Sequence, residues 1–335
     1  MNSFEPHHAT FALITAALLC AGLIVLLRPI LQRYALARPN ARSSHVVPTP
    51  QGAGIAVITA TLSVAVVCAT AMNIVIPAVL FGATLFMAVV GLADDIKPIQ
   101  VLPRLLLQAA AVGIVLFAAP ANLRIVPAFP IGVERALLLF AGLWFVNLVN
   151  FMDGLDLMTV AELVPITGTL IVLGWLGELP APPTLIAAAL CGAILGFAPS
   201  NRPVAKVFLG DVGSLPIGLL LGWCLLQLAF HQQLAAALLL PLYYLADATL
   251  TLLRRMTRRE PFWAAHRTHF YQRATDNGFT VPRVVGEVFL LNLVLAALAL
   301  IATTTGTVTA GAISLLAGAL AVALVLYHFS RKPQS

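Results

Sequence analysis

Long apolar runs separated by short polar stretches dominate this chain. Runs near the roughly 20 residues that a helix needs to cross a hydrocarbon core fall near 11–30, 52–72, 76–93, 101–119, 136–152, 157–177, 184–200, 213–231, 234–253, 284–303 and 308–328. The pattern predicts an all-α polytopic integral membrane protein with about 11 transmembrane helices, although the stretches around 60–90 and 215–250 admit other divisions. The connections alternate in character. On one side they are turns near 73–75, 178–183, 232–233 and 304–307, apart from 120–135, which Pro120, Pro127, Pro130 and Gly132 punctuate as an irregular stretch. On the other side lie longer loops, at about 31–51, 94–104, 151–156, 200–212 and 254–283. No linker is long enough to tether a soluble domain, so residues 1–335 read as one transmembrane domain. No inverted repeat of the kind many transporters carry is visible.

Composition agrees. Hydrophobic residues make up 60% of the chain and charged residues only 10%, against about 25% charged in soluble domains, which excludes a soluble globule. The net charge of +6 raises nucleic acid as a partner, but its distribution argues otherwise. Of the 19 lysines and arginines, only Arg124 and Arg135 fall on the side with short turns. By the positive-inside rule the looped side is cytoplasmic, with a periplasmic amino terminus and a cytoplasmic carboxyl terminus. The basic excess is thus a topological signal, and no nucleic-acid partner is expected. Residues 1–10 lack the basic charge of a cleavable signal peptide. Cys20, Cys68, Cys191 and Cys224 sit inside apolar runs without Cys-x-x-Cys spacing, so they read as core residues.

The acidic residues are few and clustered. Only 13 occur, and Asp94, Asp95, Asp153, Asp156 and Asp211 all border apolar runs on the cytoplasmic side. Carboxylates gathered at a membrane face suit a divalent cation and a phosphorylated substrate. Asp94 and Asp95 close a helix at its negative dipole end, so a cation or Lys97 must offset their repulsion. Asp153 and Asp156 are three apart and share a face if the turn is helical. Asn147 and Asn150 have the same spacing one turn earlier, either lining that face or bonding to neighbouring helices. In Leu209-Gly-Asp-Val-Gly-Ser214, two glycines flank Asp211 and permit a tight turn that approaches a phosphate or metal. His266 and His269 in the loop 254–283 read either as a zinc-type pair or as donors to a diphosphate; the surrounding arginines and the lack of a third soft ligand favour the anion. Asp247 lies within a predicted span and is either functional or paired with an arginine of 254–259.

Together these residues resemble the polyprenyl-phosphate N-acetylhexosamine-1-phosphate transferase family. Its Asp-Asp motif matches Asp94-Asp95, its Asn-x-x-Asn-Phe-x-Asp-Gly-x-Asp motif matches Asn147 through Asp156, and its Phe-Leu-Gly-Asp-x-Gly-Ser motif matches Phe208 through Ser214. His266-Arg-Thr-His269 resembles the family's histidine-rich sugar-recognition loop. Pro39-Asn40, Arg42-Ser-Ser-His45 and Pro48-Thr-Pro50 resemble its first cytoplasmic loop. The match runs in order from about 38 to 273 and looks most like the O-antigen-initiating branch, with weaker likeness to the peptidoglycan branch, phospho-N-acetylmuramoyl-pentapeptide transferase. Three departures stand out: Ala37 where members often have an acidic residue, Gln51-Gly-Ala-Gly54 for the basic-glycine-glycine run, and Leu157 where a glycine commonly follows the second aspartate.

The resemblance implies a bacterial inner-membrane enzyme that moves an N-acetylaminosugar-1-phosphate from a UDP-sugar to undecaprenyl phosphate, releasing UMP and initiating O-antigen or related polysaccharide synthesis. It implies Mg2+, with Mn2+ as an alternative, held by Asp211 with Asp95 or Asp156. Asp94 would orient or deprotonate the lipid phosphate, and a covalent route through Asp211 stays open. Asn147, Asn150, Lys97, Arg42, His45, His266, Arg267 and His269 would bind substrate, and a homodimer is left open. A transporter or flippase for lipid-linked sugars is the rival reading. It would place charges at mid-membrane and show an inverted repeat.

Overall fold

The computed structural model describes residues 6–37, 48–261 and 266–332. Among these residues thirteen α-helices follow one another: α1 Pro6–Tyr34, α2 Gly54–Ala71, α3 Ala78–Ile96, α4 Val101–Phe117, α5 Ile131–Phe151, α6 Met158–Trp175, α7 Ala181–Phe197, α8 Asp211–Phe230, α9 Leu234–Leu239, α10 Leu242–Thr257, α11 Phe270–Asp276, α12 Val281–Thr305 and α13 Val308–Phe329. Among the described residues nine helices are long and apolar enough to cross a membrane, and α4 is a shorter apolar helix. The chain is therefore a polytopic α-helical membrane protein. Each predicted run lands on helix in order, but the run 234–253 is broken between α9 and α10 at Pro241. Proline has no N–H to continue the ladder and its ring collides with the preceding turn.

Two strands of two residues depart from the all-α expectation. β1 (Leu36–Ala37) pairs antiparallel with β2 (Thr49–Pro50), and Gln51 bridges in parallel to Phe208. This small ladder carries Gln51 to the start of α8.

Burial separates inner from outer helices. The apolar windows of α8, α7 and α6 are 83%, 78% and 72% buried, while those of α1 and α13 are only 22% buried. A span whose circumference is covered by protein faces other helices, and one left open faces lipid. The central helix α8 packs on α2, α3 and α5. Small residues allow this approach, since lipid tails supply no hydrophobic drive between spans. A Cβ on Gly54 would stand 2.3 Å from the Cα of Gly213, and one on Gly91 would stand 2.2 Å from the Asp211 carbonyl oxygen. Close crossing at Gly91 brings the first residue of α8 beside the end of α3. Polar side chains tie helices elsewhere. Asn292 on α12 donates to Glu162 Oε2 at 2.6 Å and to the Ala161 carbonyl at 3.0 Å on α6. All four cysteines are free and buried.

Candidate active site

The ends of α3 and α5 and the starts of α4 and α8 meet at one end of the bundle, and the aspartates meet there with them. Asp95, at the end of α3, accepts from the Asp211 amide at 2.9 Å and the Val212 amide at 3.0 Å. Gln51 Nε2 adds a third bond to Asp95 at 2.5 Å. The first amides of a helix have no partner within it, and the positive end of its dipole favours a carboxylate. Asp95 therefore caps α8 from another helix. Gly210 completes the fit: it sits at φ +77°, and a Cβ there would approach Asp95 Oδ2 to 2.6 Å.

Asp94 points the other way. It accepts from the Ile99 amide at 2.6 Å and from Arg104 Nη1 at 2.9 Å. The same Arg104 nitrogen is 3.8 Å from Asp211 Oδ2. The expected offset to the acidic pair thus comes from the α8 amides and Arg104; Lys97 is exposed and forms no ion pair among the described residues. One guanidinium nitrogen thus stands between the Oδ2 atoms of Asp94 and Asp211, and positive charge there favours the ionised form of both carboxyl groups. Asn150 holds Asp211 on its other oxygen, with Nδ2 at 2.8 Å from Asp211 Oδ1 and 2.8 Å from Ser214 Oγ.

The turn after α5 brings the second carboxylate pair. Asp153 accepts from the Thr159 hydroxyl. Burial pushes the Asp153 carboxyl up to about 7; the Thr159 bond opposes this, and the charges of Asp95 and Asp156 add to it. That influence puts all three in one electrostatic neighbourhood. Asp156 Oδ2 accepts from the Ala205 amide at 3.0 Å. The next residue, Leu157, has φ +63°, a left-handed conformation unusual for a leucine. Its amide donates to Asn201 Oδ1 at 2.7 Å.

The histidine loop docks on the same end. Asp247 is fully buried and pairs with His269 Nδ1 at 3.2 Å, not with an arginine. It also accepts from the amides of Phe270 at 3.0 Å and Tyr271 at 3.1 Å, and from the hydroxyls of Tyr243 and Thr251 at 3.3 Å each. The carboxylate thereby fixes the His269 ring and the start of α11 together. Tyr271 Oη reaches back to the Phe151 carbonyl at 3.0 Å, and a Cβ on Gly154 would stand 2.1 Å from that hydroxyl. This contact joins the histidine loop to the aspartate turn. The His266 and His269 rings are 4.9 Å apart. Burial, then the neighbouring His269 and Arg255, lowers His266 to about 4, so near neutral pH it offers hydrogen bonds, not charge. Arg267 is turned along α11, 3.2 Å from Asp276 Oδ1 and 3.3 Å from Thr275 Oγ1.

The structure brings Asp94, Asp95, Asp153, Asp156, Asp211 and Asn150 to one end of the bundle, with His266 and His269 in the loop docked at the same end. Asn147 is turned away, donating to Gln108 Oε1 at 2.7 Å and the Leu143 carbonyl at 2.8 Å. It joins α4 to α5. Arg42 and His45 lie outside the described residues. Sequence reasoning missed Arg104, Gln51, Thr159 and Tyr271 as members of the site. Among the described residues no three His, Cys, Asp or Glu side chains converge to hold a metal by themselves. Mg2+ does not require that, since it keeps several waters and takes one or two carboxylates plus substrate phosphates. Asp211 Oδ2, with Arg104 Nη1 3.8 Å away, fits such an ion in donor type. Asp94 and Asp95 fit less well, because both oxygens of each already accept hydrogen bonds.

Residues 77–229 match the family model described as glycosyl transferase family 4, a segment that contains Asp94, Asp95, Asp153, Asp156 and Asp211. A decaprenyl-phosphate N-acetylglucosaminephosphotransferase of Mycolicibacterium smegmatis is 30% identical over 295 residues, spanning 76% of this chain and 72% of the relative. The protein of the same name from Mycobacterium tuberculosis is 29% identical over 295 residues, with the same coverage. A phospho-N-acetylmuramoyl-pentapeptide-transferase of Enterococcus faecalis is 36% identical over 111 residues, 33% of each chain.

Proposed function

Because this chain belongs to glycosyl transferase family 4, among its polyprenyl-phosphate sugar-1-phosphate transferases, we propose that it transfers an N-acetylaminosugar-1-phosphate from a UDP-sugar to undecaprenyl phosphate. UMP leaves, and the product, undecaprenyl-diphosphate-sugar, starts O-antigen or a related surface polysaccharide. The relatives' names make N-acetylglucosamine the first sugar to test. The working end faces the cytoplasm in the bacterial inner membrane, about 11 apolar segments cross the bilayer, and the basic loops stay inside.

The observation that carries this reading is that Asp94 and Asp211 share Arg104, whose Nη1 is 2.9 Å from one carboxylate and 3.8 Å from the other. An anionic lipid phosphate must attack the sugar-bearing phosphorus of an anionic diphosphate. A new P–O bond forms to the lipid oxygen, and the P–O bond to the UMP phosphate breaks. Charge repulsion dominates such a barrier, so positioning and countercharge are the cure. Mg2+ held by Asp211 would supply countercharge to the diphosphate. Arg104 adds a fixed positive group, Asp95 sets the first turn of α8, and Asn150 fixes the Asp211 rotamer. Asp153, with a pKa about 7, is suited to hold or release a proton at working pH. The lipid phosphate is largely ionised already, its second pKa being about 6, so the base contributes orientation more than deprotonation. His266 and His269 would bind the sugar or diphosphate as neutral or Asp247-oriented donors.

The test uses the purified full chain with undecaprenyl phosphate, a panel of UDP-sugars, and Mg2+ or EDTA. Asp211→Asn and Asp211→Ala should lose UMP release while keeping the wild-type melting temperature. Full activity in either variant removes Asp211 from the site, and full activity in EDTA removes the ion.

A further inference from the structure

A second polar concavity lies where α10 ends, formed by residues outside the aspartate cluster. Arg254, Arg255 and Arg258 from α10 and its cap, with Arg273 from α11, line a cavity of about 130 Å3. The hydroxyl residues Thr251 and Thr268 complete its wall, and Glu260 is the one carboxylate in the lining. Four guanidinium groups thus face a single negative charge.

That single charge is already engaged. Arg255 Nη1 is 2.8 Å from Glu260 Oε2, and Arg255 Nη2 donates to the Pro261 carbonyl at 3.0 Å. Arg255 is more than nine-tenths buried, and its Nε is buried without a hydrogen-bond partner. Arg254 feels the like charges of Arg273 and Arg258, with only Glu260 opposing them. Among the described residues Arg254, Arg258 and Arg273 form no ion pair. Guanidinium groups gathered like this repel one another unless an anion sits among them, and their planar forks match the oxygens of a phosphate. The cavity has room for one phosphate group with its waters.

Leu250, Leu253 and Met256 on α10 are each about half exposed. Leu250 is one turn from Arg254 and shares its side of the helix, whereas Leu253 and Met256 turn away from the pocket wall. A hydrocarbon chain lying against Leu250 would end with its headgroup at the arginines.

We propose that this pocket binds the phosphate of an anionic phospholipid, at a site separate from the aspartate cluster. The Thr251 hydroxyl in its wall donates to Asp247 at 3.3 Å, so an occupied pocket would brace the residue that holds His269.

Native mass spectrometry of the full chain, released from nanodiscs of mixed phosphatidylglycerol and phosphatidylcholine, tests this directly. The wild type should retain phosphatidylglycerol about tenfold over phosphatidylcholine, and Arg254→Gln with Arg258→Gln should abolish the preference. Arg258→Glu alone, at an exposed position, should weaken it by a similar factor while the protein stays folded by thermal melt. Equal retention of the two lipids, or an unchanged preference in both variants, overturns the proposal. A parallel titration of delipidated protein with inorganic phosphate and UMP separates the sources. Arginine-dependent binding of those soluble anions without any lipid preference would overturn the phospholipid reading.

Discussion

The carboxylate of Asp95 spans the first two amides of α8, 2.9 Å from the nitrogen of Asp211 and 3.0 Å from that of Val212. One aspartate at the end of α3 therefore sets the position of another at the start of α8. Asp95→Ala would leave both amides without this partner and remove a favourable charge from the helix end. Loss of a capping side chain costs about 1 kcal/mol, and the charge adds a few tenths more. Asp95→Ala should thus lower both the melting temperature and the transfer rate. Asp211→Asn should lower the rate alone. If both variants melt with the wild type, Asp95 is not the cap described.

Leu157 occupies the left-handed region at φ +63°, at the position where related chains were expected to carry glycine. The conformation costs a leucine about 1 kcal/mol. Its half-buried side chain recovers a similar amount by packing against the core. Leu157→Gly should therefore change stability by less than about 1 kcal/mol and leave transfer intact. Leu157→Ile keeps the bulk but adds a β-branch where φ is positive, and should destabilise by more than about 1 kcal/mol. Thermal melts of the two variants in the same detergent decide it.

Much of this site was legible in the sequence, and the failures have physical causes. Apolar length sufficed for the helices, because backbone groups in lipid must pair within their own segment. It did not reveal the break at Pro241, since the residues immediately on both sides are leucines. Asn147 and Asn150 were expected on one face, yet three residues leave about 60° of rotation between them. That is enough to send one to Gln108 and the other to Asp211. Arg104 lay hidden because it sits ten residues from Asp94, beyond a helix break. Asp247 announced itself as a buried charge, but beyond Tyr243 and Thr251 on its own helix its partners are His269, Phe270 and Tyr271, more than twenty residues away. Capping from another helix leaves no spacing to read.

Asp153 gives the site a pH signature. Its folded pKa of about 7 lies above the ordinary value of about 3.9, so the folded state holds the proton more tightly than the unfolded chain. Its contribution to stability is complete below pH 4 and is lost as pH rises through 7. Metal-free protein should therefore melt at progressively lower temperature from pH 5 to 7.5, and Asp153→Asn should flatten that slope. An identical slope in the variant would assign the titration to other groups.

Gly154 and Tyr271 provide the strictest test of how the histidine loop meets the aspartate turn. Any Cβ on Gly154 would stand 2.1 Å from Tyr271 Oη, and 3.1 Å from both Tyr271 Cζ and Gln272 Nε2. The worst collision is thus with the hydroxyl alone. Gly154→Ala should displace Tyr271, break its bond to the Phe151 carbonyl and loosen the loop that carries His269, with transfer falling more than tenfold, about 1.4 kcal/mol in the barrier. Tyr271→Phe loses one hydrogen bond, worth about 1 kcal/mol, without a clash. Removing the hydroxyl also makes room for the methyl, so Gly154→Ala combined with Tyr271→Phe should recover part of the activity that Gly154→Ala loses. A coupling energy of about 1 kcal/mol or more between the two positions is expected for groups in direct contact. Strictly additive losses would mean that the turn and the loop act independently, and that Tyr271 does not hold them together.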